Sequence, residues 1–490
     1  MRITKLQYFI LVFAFVGVFL LGQETSTDLD SMFNDSVVEE DENQTSAKIN
    51  DAINFDDMFE EATVEDKDGK EIFPDTETIP LFDNPQDRLL KDEDVNWGGN
   101  FTFSPTVNLS FPSYSAFTGG LSGGASANRV FSNNLESELF FDARPSTDFR
   151  VFGKSRFQYN GSGFDFKIFE LFSDFHWKDS IFFRAGKQRA DWGVGRFFSP
   201  ADLVSLATIN PLDPTLEREG PVALKIHAPL DINNIYFYLL SNEVTDPLAV
   251  SVGLRGEAVI GNYEIGFGGM YQKDLIPRGI LTFTGPLEAI DLFGEMVIQK
   301  GTERHKIVLE ETELFGKTIK TISPVHSSER TEWYLAATIG ASYVENEENI
   351  FFSAQYYYNP LGYENSDGLW QAQIALLADT SFNGGPDGTF NLKGPDLVYF
   401  GQHNFAASVL WNEILDSKLN FSTFWVSNLS DNSGLVRANF SYSLFDEVRL
   451  SFGTTVGYGV FDTDFLTGST TEYRENVNFS LNASLGSGRF

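Results

Sequence analysis

The sequence predicts an all-β chain: a transmembrane antiparallel β-barrel of about 18 strands, with 16 as the alternative, preceded by a disordered acidic segment. Three observations carry this. Apolar and polar residues alternate in run after run, short connections alternate with long ones, and the 490 residues include 48 Phe, 17 Tyr and 7 Trp. The alternation is clearest between Leu435 and Val460. Val436, Ala438, Phe440, Tyr442 and Leu444 share one parity, and Arg437, Asn439, Ser441 and Ser443 hold the other. After Asp446-Glu447 it resumes, with Val448, Leu450 and Phe452 against Arg449, Ser451 and Gly453. Successive strand side chains point to opposite faces, so each segment has one oily and one wet face. Rings gathered on a single face suit lipid contact and aromatic girdles better than an oversized soluble core.

The chain opens with Arg2 and Lys5 ahead of an uncharged, mostly apolar stretch from Leu6 to Leu21, which reads as a secretory signal peptide over residues 1–22. The expected destination is a bacterial outer membrane. There is no cysteine for a lipid anchor, disulfide or thiol chemistry. No later apolar stretch is long enough for a spanning helix, and a closed barrel is the other structure that satisfies every backbone polar group in lipid.

Residues 23–96 carry 24 acidic and 5 basic side chains. Such a segment buries too little apolar surface to offset its ordering entropy, so it is expected to be a largely disordered periplasmic region. It contains a two-fold repeat: Leu29-Asp-Ser-Met-Phe33 with Val38-Glu-Glu40 recurs as Phe55-Asp-Asp-Met-Phe59 with Val64-Glu-Asp66. Leu29, Met32 and Phe33, like Phe55, Met58 and Phe59, have the spacing of a short amphipathic helix, which suits a periplasmic partner. A plain acidic spacer is the competing reading. With a net charge of −34, the chain lacks the basic face that nucleic-acid binding requires.

Residues 97–490 form the barrel. Even-to-odd connections such as 178–179, 230–233, 260–262, 345–348, 415–417 and 445–447 are short, and odd-to-even ones such as 190–219, 300–330, 360–396 and 461–470 are long. This is the pattern of periplasmic turns and outer loops. Trp370 to Ala378 is left open between an additional strand and a loop helix.

The second and third strands offer a lumen argument. If Ala143 faces Phe149, then Asp142 pairs with Arg150, Glu138 with Lys154 and Glu136 with Arg156, all on the wet face. These six and Arg184 are the pore-lining candidates. They either select solutes by charge or merely set strand register. Further bases follow at Lys167, Lys187, Arg189 and Arg196.

The segment Ala185 to Val222 contains Gly186-Lys187-Gln188, Trp192-Gly193, Pro200, Asp202, Asn210-Pro211-Leu212-Asp213-Pro214 and Arg218-Glu219-Gly220. In these features it resembles porin-like outer-membrane barrel proteins of diderm bacteria. The resemblance implies a channel for passive diffusion of small hydrophilic solutes, with no enzymatic activity, cofactor or metal. By strand count this is the third outward loop, the one that folds inward in general porins. Trp192, Arg196, Phe197, Phe198, Asp202 and Asp213 are therefore the constriction candidates, with Arg196 and Asp202 expected beside the aqueous path; an ordered surface loop is the competing reading of the segment. A surface structural or adhesive barrel with an occluded lumen is the alternative, and a barrel enzyme the third reading. His176, His227, His305, His326 and His403 lack metal-ligand spacing, and no serine elbow or phosphate loop is present.

The chain ends at Phe490, as in barrels whose last strand is read by the assembly machinery. Val477, Phe479, Leu481, Ala483 and Leu485 are odd, so a bulge near Gly486-Ser487-Gly488 is needed to turn the terminal ring outward. Whether the barrel stands alone or as a homotrimer is left open.

Overall fold

The computed structural model describes residues 95–111, 128–241, 250–301, 306–325, 332–363, 401–459, 463, 465 and 476–489, apart from a few single and paired turn positions. The signal, the acidic repeats, Trp370 to Ala378 and Phe490 lie outside them. The first half of the barrel is β1 (Val95–Phe111), β2 (Asn128–Ser146), β3 (Phe149–Tyr159), β4 (Phe164–Trp177), β5 (Ile181–Lys187), β6 (Val222–Leu230), β7 (Asn233–Leu240), β8 (Ser251–Ile260), β9 (Tyr263–Gln272), β10 (Arg278–Leu287) and β11 (Ile290–Lys300). A separate hairpin of β12 (Lys306–Leu314) and β13 (Lys317–Val325) stands in the next connection. The barrel resumes with β14 (Trp333–Glu345), β15 (Ile350–Tyr358), β16 (His403–Trp411), β17 (Leu419–Asn428), β18 (Ser433–Phe445), β19 (Val448–Tyr458) and β20 (Asn476–Arg489).

All pairings between the named strands are antiparallel, and β20 pairs with both β19 and β1, closing an 18-stranded barrel. Burial is inverted relative to a soluble protein. Leu254, Phe267, Ile339 and Leu481 are each more than half exposed, whereas Thr282, Glu295, Ser353 and Gln355 are at 1%. The alternation read from the sequence has its apolar parity outside and its polar parity inside.

The barrel's two- and three-residue connections share one rim, opposite the four-residue connections β3–β4 and β17–β18. β6–β7, β8–β9 and β10–β11 are joined by two residues each. The first of each pair adopts the left-handed conformation that a tight hairpin needs: Asp231 at φ 60°, Gly261 at φ 66° and Glu288 at φ 58°. β1 begins two residues before Trp97.

The β2–β3 register departs from expectation by two residues. Ala143 faces Val151, not Phe149, because the ladder slips between Ala143 and Ser146. Pro145 sits in that gap without an N–H to donate, so the strand bulges there. A shift of two preserves parity, and every charged residue stays on its expected face. At the other end, β20 carries the anticipated irregularity: Phe103 faces Leu485 but Phe101 faces Gly488, one residue more on β20. Arg489 is thereby brought opposite the inward Asn100.

Candidate functional site: the lumen and its inward loop

The connection from β5 to β6, residues 188–221, turns into the barrel and crosses it. Its neck is knitted by the motif residues. Gln188 donates its N–H to the Pro221 carbonyl at 3.0 Å, and its fully buried amide donates to the Ala223 carbonyl at 3.0 Å. A Cβ on Gly220 would overlap the Gln188 carbonyl, so glycine permits the two legs to meet. Lys187 and Glu219 form an ion pair across the neck.

Past the neck, Trp192 is completely buried beside Tyr238 of β7, ring centroids 5.5 Å apart, together with Ala201, Val204, Ile280 and Val297. Gly253 of β8 leaves room for the indole, since a Cβ there would strike it. The Trp192 carbonyl accepts from the Arg255 guanidinium. Phe197 packs with Leu212 against Ala406, Val426 and Leu435 on β16, β17 and β18, and Phe198 stacks on Tyr357 of β15 at 5.5 Å. Arg196 lies 5.4 Å from the Phe293 ring and 5.6 Å from Phe351.

Two wall residues that the sequence did not single out hold the tip. Glu295 of β11 accepts from the N–H groups of Val194 at 2.6 Å, Gly195, and Ala201 at 2.9 Å, and from the Ser199 hydroxyl at 2.9 Å. Gln355 of β15 accepts from the N–H groups of Arg196, Phe197 and Phe198 at 2.8–3.2 Å and donates to the Phe198 carbonyl at 2.7 Å. Loop backbone polar groups that could not pair with a neighbouring strand are satisfied by these two side chains.

Asp202 is corrected from its expected place. Its side chain is 3% exposed and bound to Arg218 at 2.6 Å, away from any aqueous surface. Arg218 also holds Asp191 at 2.8 Å, so one guanidinium clamps two carboxylates. Burial and the neighbouring Asp191 push the Asp202 carboxyl up, against the pull of Arg218. Asp213 serves a tight turn, donating its N–H to the Asn210 carbonyl at 3.0 Å.

The seven wall candidates line the inside of β2 to β5. Arg150 binds Asp142 at 2.8 Å, Arg156 binds Glu136 at 3.0 Å and also Glu138, and Lys154 reaches Glu138 at 3.8 Å. The expected pairs therefore form, as diagonal contacts, despite the shifted backbone register. The returning leg of the loop joins them: Glu217 accepts from Lys154 at 2.8 Å and lies 3.3 Å from Arg156. Arg184 grips Asp174 through two bonds of 2.7 and 3.1 Å. His176 pairs with Asp148 at 3.2 Å.

No family profile matches this chain, and no characterised protein sequence does. Solved structures with a similar course of chain are Pseudomonas aeruginosa OccK11 (OpdR), 7% identical over 79% of this chain and 95% of that one with a TM-score of 0.41, and Acinetobacter baumannii OccAB1, 10% identical over 79% and 96% with a TM-score of 0.42. A triple mutant of Rhodopseudomonas blastica porin is 8% identical over 81% of this chain and all of that one, with a TM-score of 0.38.

Proposed function

We propose that this chain is an outer-membrane, porin-like channel for passive diffusion of small hydrophilic solutes, with residues 188–221 as its constriction. The observation that supports the reading best is the loop's suspension across the lumen, from Lys154 and Arg156 on one wall to Glu295 and Gln355 on the others. A closed barrel with a polar inside supplies a water path, and a loop hung across it narrows that path. In this reading residues 1–22 are a cleaved signal and 23–96 a periplasmic extension whose repeats meet a partner there. The last strand is read by the barrel-assembly machinery. The task needs neither catalytic residue nor cofactor.

Deleting residues 194–214 tests the reading. Single-channel conductance in planar bilayers should rise several-fold while the barrel still folds and inserts; unaltered conductance would place the segment outside the permeation path. A second reading has its own support, since the loop packs against β7 and β11 as well as β16 to β18. If it fills the whole section, the protein is a plugged surface barrel, and the intact chain conducts nothing until the loop is removed.

A further inference from the structure

A cavity of about 350 Å³ lies in the inner wall at the short-turn end of β2 to β6. Its charged lining is matched group by group. Arg150 is shared between Asp142 at 2.8 Å and Asp174 at 3.5 Å, Arg184 grips Asp174 at 2.7 Å, and Arg144 reaches Asp142 at 3.4 Å. His176 meets Asp148 at 3.2 Å, and the Lys225 ammonium lies 5.1 Å from the Tyr236 ring. Beside these pairs runs a strip of rings, one from each strand of β4 to β7: His176 faces Phe182, Phe182 faces His227, and His227 faces Tyr236. Their centroids are 5.9, 5.9 and 4.6 Å apart in that order. Three strand spacings make the strip roughly 14 Å long.

We infer that this cavity binds an uncharged, polyhydroxylated ring, a saccharide, with one C–H face laid on Phe182 and His227 and its hydroxyls set among the ion pairs. A charged ligand would have to compete with partners already in place, because the cations of the lining are held by acids or by a ring. Hydroxyls require no such exchange. Each is donor and acceptor at once, so it can give to a carboxylate of Asp148 or Asp174 and take from a guanidinium, which has five donors. The Asp148 side chain is 60% exposed and that of Asp174 26%, so both acids are open to the cavity. The rings supply the rest of the fit, since their negative faces attract the polarised C–H groups of a sugar. The volume is at the small end of the range for ligand pockets and has room for about one or two sugar units. The site rests on the channel reading for access from solution, and it names a solute class for that channel; binding itself does not require conduction.

Saturation-transfer NMR titration of the full chain, solubilised in a detergent without a sugar headgroup, tests it with glucose, glucuronate and sorbitol. Glucose should bind saturably, at least five-fold tighter than glucuronate, which adds a charge to the same ring, and than sorbitol, which has the hydroxyls without the ring. Phe182→Leu keeps an apolar bulk but removes the aromatic face, and Asp148→Ala changes an exposed turn. Each should weaken glucose five-fold or more, while Arg437→Gln on β18 leaves it unchanged; heat-dependent gel mobility identifies whichever variants remain folded. No saturable glucose binding, equal or tighter binding of glucuronate, or indifference to both substitutions in folded variants would overturn the site. Conductance in planar bilayers without glucose binding defeats the site and spares the channel, whereas binding without conductance defeats the channel and spares the site.

Discussion

A carboxylate with 1% of its surface exposed needs a donor for each of its lone pairs, and Glu295 finds four in a single loop. Replacing it with Ala strands three backbone N–H groups and a hydroxyl in a closed space, at about 1–3 kcal/mol for each group that stays buried. The loop is expected to come off the wall before that full cost is reached. Glu295→Ala should therefore expose the 194–214 segment to limited proteolysis at least ten-fold faster, with the barrel's own unfolding little changed; equal cleavage rates would show that the tip is held by other contacts. Trp192→Ala removes the largest buried ring of the loop and should cost about 3–5 kcal/mol of loop docking, read from the same proteolysis in a denaturant series. At this scale the sequence was legible only where chemistry was locally paired. Opposite charges at matched parity exposed the pairs of Asp142, Glu138 and Glu136, and bulky rings beside prolines exposed Trp192 and Phe197. Glu295 and Gln355 had no such signal beyond being polar residues in mid-strand at inward parity, because their partners lie about 100 and 158 residues away.

The β2–β3 hairpin and the loop's returning leg form one electrostatic unit, with Glu217 tied to the same Lys154 and Arg156 that neutralise Glu136 and Glu138. Reversing both bases to Glu would gather five carboxylates where two cations now stand. The double variant should shift permselectivity in a salt gradient toward cations and loosen the returning leg; an unchanged reversal potential in a conducting barrel would confine these pairs to fixing register. The alternation of apolar and polar residues was enough to read the strands, because lipid-side and lumen-side positions differ so sharply in polarity. Register was harder. The expected pairing of Ala143 with Phe149 failed because an irregularity at Arg144-Pro145 is decided by which hydrogen bonds remain when proline withholds one, and the face pattern is indifferent to a slip of two. Within the 185–222 stretch, Gln188 and Gly220 are explained by the neck, where they bring the two legs of the loop together.

Across the whole molecule, the polar inside and apolar outside depend on closure at the β1–β20 seam, where Asn482 donates to Thr106 at 3.1 Å. Removing residues 476–490 should leave no heat-resistant compact form on a gel, since an open sheet presents two unpaired edges to lipid; a truncated chain that still ran compact would show that closure is dispensable. The seam also has a kinetic meaning. Its partners are 376 residues apart, and joining ends that distant in a free chain costs about 5 kcal/mol in loop-closure entropy before any contact repays it. Contacts between the inward loop and β15 span less than half that separation, so nucleation that proceeds from near to far would seat the loop before the last seam zips. The barrel would then be assembled around the loop that crosses it, and deleting that loop should slow folding without preventing insertion.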